Sequence, residues 1–180
     1  MTKVLGLDIS TSYVGVCFLD SENLSNPKME AIDLTKIKDF YDKYAFVKNW
    51  ILSKKDEIDT CDFIFVEEPV LMFGAGASTA SVIALLQQFN ACVRCCLFDS
   101  AGVKARLINV SATRRLIGVK TMSKAKSGGK NHKQQTFEQV LAMKMVDDKD
   151  LPKTKTGSYK PYAYDMVDAF VIARGGILQA

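Results

Sequence analysis

The sequence predicts an α/β fold, a mixed five-stranded sheet with helices on both faces. Three observations predict it. Residues 4–8 and 13–19 are apolar runs joined by the polar turn Ser10-Thr11-Ser12, the pattern of a hairpin. Residues 63–66, Phe-Ile-Phe-Val, are continuously apolar, as in a central strand buried on both faces. Segments of helical spacing surround and follow that run, so a series of antiparallel strands gives way to strand-helix-strand units.

The elements follow in order. A third strand fits 29–34, after the turn signal Asn26-Pro27. A helix fits 39–55, where Phe40, Tyr44, Val47 and Ile51 share one face. The central strand closes on Glu67-Glu68, and Pro69 ends it. A glycine-containing loop, 70–77, leads to a second helix over 78–96 that is apolar on most sides. A fifth strand fits 105–110. Ser127-Gly128-Gly129 interrupts the chain before a helix over 132–145, and a loop over 147–161, with two prolines and a glycine, reads as mobile. The final helix spans 162–178.

At 180 residues, 48% hydrophobic and 24% charged, the sequence reads as a single globular domain over 1–180. Its longest apolar stretches, such as 80–86, fall short of the roughly 18 residues of a membrane helix, so no span is expected. The first residues read as a strand rather than a secretory signal, which points to a cytosolic protein. Five cysteines are an odd set for a disulfide framework. Cys92 and Cys95 have C-x-x-C spacing without a second pair or a nearby histidine to complete a zinc site. Buried, reduced thiols at a helix end are expected there.

The net charge is +4, and residues 104–133 concentrate it, with nine Lys or Arg and no Asp or Glu. Such a segment is a candidate polyanion footprint, with Arg114, Arg115, Lys120, Lys124, Lys126 and Lys130 as phosphate contacts. A solvated basic face is the plainer reading. Acids at Asp8, at Glu67 or Glu68, at Asp165 and at Asp168 each interrupt or end an apolar element. Burying an unpaired charge costs several kcal/mol, on the order of a lost buried ion-pair partner, so such acids need cations, hydrogen bonds or exposure. Asp165 and Asp168 lie one helical turn apart and can share a ligand, although an acidic pair near a helix start also suits the helix dipole. Carboxylates gathered from distant segments suit hard divalent cations that keep positions open for phosphate oxygens.

These residues resemble the RuvC-type Holliday junction resolvases, particularly those of bacteriophages, over nearly the whole chain. Val4-Leu5-Gly6-Leu7-Asp8-Ile9-Ser10 resembles the family's first strand with its leading aspartate, and Phe65-Val66-Glu67-Glu68 its central-strand glutamate. Asp165-Met166-Val167-Asp168-Ala169 resembles its C-terminal D-x-x-D-A signature. The resemblance implies a ribonuclease H-like fold and a homodimer, with Mg²⁺ or Mn²⁺ as cofactor, two ions per site. It implies paired, symmetric nicks in a four-way DNA junction that leave 5′-phosphate and 3′-hydroxyl ends. It assigns Asp8, Glu67, Asp165 and Asp168 as metal ligands, with Glu68 in reserve. It puts Lys133 near the scissile phosphate, a role Lys130 could equally take, and sets Phe73, beside Met72, against bases at the crossover. The apolar helix over 78–96 is the candidate dimer element, with core burial as its alternative. Adjacent glutamates, Pro69 and a long basic loop over 120–130 depart from the family pattern. A broader nuclease for flaps, forks and three-way branches would use the same residues. An actin-like or sugar-kinase-type ATP-binding protein is the other alternative, since Gly6 to Ser12 also resembles the phosphate hairpin of that superfamily.

Overall fold

A computed structural model describes residues 1–69 and 80–180. Phe73, Met72, the loop expected over 70–77 and the first residues of the following helix lie outside the described residues.

β1 (Lys3–Ile9), β2 (Tyr13–Asp20) and β3 (Lys28–Asp33) form an antiparallel meander. β4 (Phe63–Glu67) adds to the other side of β1 in parallel, and β5 (Arg106–Ile108) continues in parallel beyond it. The result is the expected mixed five-stranded sheet, in the order β3-β2-β1-β4-β5. Alternation along the strands divides the core in two. Leu5, Leu7, Ile64 and Val66 pack with Val47 and Ile51 of α1 (Phe40–Ser53) and with Phe89, Val93 and Leu97 of α3 (Ala80–Ala101). Between those two helices in sequence comes the single-turn α2 (Lys55–Ile58). On the opposite face Val4, Cys17 and Phe65 pack with Val167, Phe170 and Ala173 of α6 (Tyr162–Ile177). Val110 of α4 (Val110–Leu116) and Phe137 and Val140 of α5 (His132–Ala142) complete that layer.

Side-chain caps fix where several helices begin. Asp39 Oδ1 accepts from the Tyr41 and Asp42 amides at 2.8 and 3.1 Å, so the expected first residue, 39, is the cap and α1 starts at Phe40. Asn131 and Gln134 form a reciprocal capping box that sets the first turn of α5. That box determines the direction in which the second residue of α5, Lys133, projects.

α6 packs closely on the first two strands. A Cβ on Gly15 would stand 2.0 Å from the Asp165 carbonyl oxygen, and one on Gly6 would stand 2.4 Å from that of Ala169. Only residues without a side chain let the helix backbone lie directly on the strands. This contact places the acidic turn of α6 over the ends of β1 and β2.

Several sequence expectations are corrected. α3 runs five residues beyond Cys96, to Ala101, so Cys92, Cys95 and Cys96 lie within the helix rather than at its end. Cys95 is exposed, because the buried stripe of Phe89, Val93, Cys96 and Leu97 faces away from it. α3 is also long and apolar enough, by length and composition, to cross a membrane. Gln87, Gln88 and Asn90 break its apolar run without making the helix polar. α4 was not foreseen. The fifth strand stops at Ile108, and Asn109 caps a helix by accepting from the Ala112 amide at 3.0 Å. The segment 147–161, expected to be mobile, is tied by its own bonds. A 3-10 turn covers Asp148–Asp150, Lys153 bridges to Tyr159, and the Asp148 carboxylate accepts from both Lys153 and the Tyr159 hydroxyl.

Replacing Gly15 with alanine forces α6 off the sheet. The expected cost is about 1–3 kcal/mol of stability, the range for overpacking a dense core, measured by denaturant unfolding. Unchanged stability would mean that the helix backbone does not sit against β2 as described.

Candidate active site

Four carboxyl groups meet where β1, β4 and α6 converge. Asp8 has the same parity on β1 as Val4 and Gly6, and Glu67 the same parity on β4 as Phe65, so both project towards α6. Asp165 and Asp168, one turn apart in the first half of α6, face them. Asp8, Asp165 and Asp168 are buried, and Glu67 is half-buried. Glu68, of opposite parity, is exposed and accepts a long 3.5 Å bond from Asn109 Nδ2. The choice between adjacent glutamates therefore falls to Glu67.

Two cations are built into the cluster. Lys133 Nζ donates to Asp8 Oδ2 at 2.8 Å and to Asp165 Oδ1 at 2.6 Å, and lies 3.6 Å from Asp168 Oδ2. Arg114 Nη2 donates to Asp168 Oδ1 at 3.1 Å from the other side. The sequence reading grouped Arg114 with the DNA-facing surface. The structure instead buries it on the inner face of α4 beside Thr113, as a partner of Asp168. A cation is needed there because Asp168 is itself almost fully enclosed.

The electrostatics record this crowding. Burial, then the neighbouring Asp8 and Asp168, push the Glu67 carboxyl up to about 8. Burial, then Asp8, push Asp168 up to about 6, against the pull of Lys133 and Arg114. Asp165 is also raised, chiefly by burial, although Lys133 opposes the shift. For Lys133 burial acts to lower the amine, but Asp8, Asp168 and Asp165 outweigh it and hold the ammonium form well above the usual lysine range. The site is a set of acids competing for positive charge.

Cavities open on both sides of the cluster. One, of about 200 Å³, lies between Asp8, Glu67 and Glu68 and the α3 side chains Ile83, Leu86, Gln87 and Asn90. The other, of about 560 Å³, is bordered by Lys133 and Asp165 and lined by Ser12, Tyr13, Gln134 and Tyr159 among others. Buried Asn90 ties the first cavity to the strand end, its Nδ2 donating to the Glu67 carbonyl at 3.4 Å.

The basic loop after α4 is held against α5 by two glutamines one turn apart. The Gln139 side chain accepts from the Lys120 amide at 2.9 Å and donates to the Lys120 carbonyl at 2.7 Å. Gln135 does the same for Met122, at 2.8 and 3.0 Å, and also donates to the Lys130 carbonyl. Each amide thus mimics one residue of a neighbouring strand. Arg115, Lys120, Lys124, Lys126 and Lys130 are exposed, and Lys130 pairs with Glu138 at 2.6 Å. Sequence reading missed the clamp, although two glutamines at i and i+4 on an otherwise amphipathic helix were its visible sign. Phe73 lies outside the described residues.

The four carboxyl oxygens sets are hard donors of the kind divalent cations select. Lys133 stands among them, and among the described residues no three His, Cys, Asp or Glu form a ready metal cage. The donor chemistry and the raised acids fit a cation of charge higher than one ammonium.

No protein-family model matches the sequence, and no curated protein does. Solved structures do match in fold. RuvC of T. thermophilus, in complex with a Holliday junction substrate, superposes with a TM-score of 0.65 at 12% identity, over 97% of this chain and 92% of that one. The yeast mitochondrial Holliday junction resolvase Ydc2 gives a TM-score of 0.61 at 16% identity, over 97% of this chain and 77% of the other. The chain therefore has the ribonuclease H-like fold, in the arrangement that RuvC and Ydc2 share.

Proposed function

We propose that the chain is a divalent-metal-dependent endonuclease that cuts four-way DNA junctions by paired, symmetric nicks. The observation that carries this reading is the convergence of Asp8, Glu67, Asp165 and Asp168, from three separate elements, at one end of the sheet. Likeness in fold to a RuvC solved with a Holliday junction substrate supports the choice of DNA branch.

The four carboxylates would hold Mg²⁺ or Mn²⁺, two ions per site. When bound, such ions acidify water and neutralise charge on a phosphate undergoing in-line displacement. The chain's own residues do the rest. Arg114 fixes the Asp168 carboxylate from behind, so that its second oxygen faces the site. Lys133 supplies a positive charge at the border of the larger cavity, positioned for a phosphate. Arg115, Lys120, Lys124 and Lys126 extend that charge along the clamped loop, where each neutralised phosphate adds affinity. Phe73 is proposed to meet the bases at the branch.

Paired nicks need two sites related by two-fold symmetry. The first turns of α3 expose Val82 and Leu85, and we assign that surface to the contact between two copies of the chain.

End-labelled four-way junction, three-way junction, flap and linear duplex, each with Mg²⁺, test the reading together. Nicks at symmetric positions confined to the four-way junction are expected. Similar cutting of flaps and three-way branches would make the protein a broader branch nuclease, and cutting that ignores chelation of the metal would overturn the proposal. Asp8→Asn and Asp168→Asn should each lower the cleavage rate by about a thousandfold, the scale of losing a principal electrostatic group, with junction binding retained in a mobility-shift assay. Lys124→Gln with Lys126→Gln should leave the cleavage pattern intact. It should flatten the dependence of log binding constant on log salt by about one per lysine removed.

A further inference from the structure

We infer that Lys133 is a resident counter-ion of the carboxylate cluster, which a divalent metal must displace to enter and which then turns towards substrate. The inference rests on the metal-dependent reading above and deepens it. One ammonium lies within 2.8 Å of Asp8 Oδ2, 2.6 Å of Asp165 Oδ1 and 3.6 Å of Asp168 Oδ2. They belong to carboxylates that would hold a metal, and two cations repel strongly at such separations. Occupancy by Lys133 and by metal is therefore exclusive.

The two built-in cations differ in how they are held. Arg114, on α4, has a side chain only 9% exposed, donates to Asp168 Oδ1 at 3.1 Å, and its charge also favours the ionised form of Glu67. It has nowhere to go. Lys133 is 34% exposed and borders the cavity of about 560 Å³ lined by Ser12, Tyr13 and Gln134. Its backbone is fixed by the Asn131–Gln134 capping box, so leaving the cluster requires only rotation of its own side-chain torsions. Lys133 is thus the exchangeable cation and Arg114 the permanent one. After exchange the ammonium stands in the open cavity beside Asp165, within reach of a substrate phosphate. Lys133 in this way compensates Asp8 and Asp165, as Arg114 does Asp168, and becomes available for DNA only once the metal is seated.

A metal that must displace Lys133 binds with an affinity reduced by the fraction of time the site stands open. Mn²⁺ binding without DNA, followed by the electron paramagnetic resonance of the free ion, tests this directly. Lys133→Met should bind Mn²⁺ about tenfold more tightly than the wild type, which corresponds to a site open about one tenth of the time. Lys133→Arg should bind Mn²⁺ more weakly than the wild type, because a guanidinium grips carboxylates through paired bonds. Unchanged or weaker binding by Lys133→Met overturns the inference. Should that variant not fold, acylation of Lys133 by an amine-directed ester in the wild type, read by peptide mass spectrometry, decides instead. Faster acylation with saturating Mn²⁺ supports displacement, and equal rates with and without Mn²⁺ overturn it. Wild-type protein that binds no Mn²⁺ at all, like the Asp8→Asn control, would overturn the metal-dependent reading and this inference together. Equal Mn²⁺ affinity in wild type and Lys133→Met would remove the inference alone.

Discussion

Like-charge repulsion at the end of the sheet is the constraint around which much of this structure is arranged. Asp8, Glu67, Asp165 and Asp168 cannot all ionise side by side without compensation, and burial, joined by that repulsion, raises the Glu67 and Asp168 acids. Lys133 and Arg114 approach from α5 and α4, two helices that both pack on α6. The carboxylates meet only because α6 lies directly on β1 and β2, and that approach is possible because Gly6 and Gly15 present no side chain to it. Core packing and site chemistry are thus one arrangement. α6 is buried along nearly its whole length, and its first half holds two of the four acids.

The two faces of the sheet have different tasks. The face under α1 and α3 is closed by large aliphatic and aromatic side chains and supplies rigidity to the strand ends. The face under α6 carries every charged group of the cluster. Strand alternation enforces this separation: a one-residue slip of β4 would exchange Glu67 for Glu68 and carry the acid from the cluster to the α3 side. The register of β4 against β1, with Leu7 opposite Val66, is accordingly part of the site, even though neither residue is polar.

Much of this was legible in the chain. The five strands, the final helix and the four acids were readable because apolar period and carboxylate interruption are local signals. Glu67 could be preferred to Glu68, but only register against β1 separates them physically. What could not be read was long-range or masked by composition. Arg114 looked like one of many surface cations in a basic segment, and nothing near it in sequence says that it faces an aspartate 54 residues away. α4 went unseen because its seven residues are too few for periodicity to speak, leaving only the Asn109 cap as a sign. The loop before α6 looked mobile from its prolines and glycine, yet Asp148, a residue of ordinary loop composition, ties it down.

The glutamine clamp on the basic loop has a consequence of a different kind. Gln135 and Gln139 hydrogen-bond to the loop through the peptide groups of Lys120, Met122 and Lys130. Position and side-chain identity are thereby uncoupled. The loop can exchange its lysines for other residues, generation after generation, and still be laid along the same track on α5. A surface anchored this way is free to diversify without disturbing the scaffold that aims it.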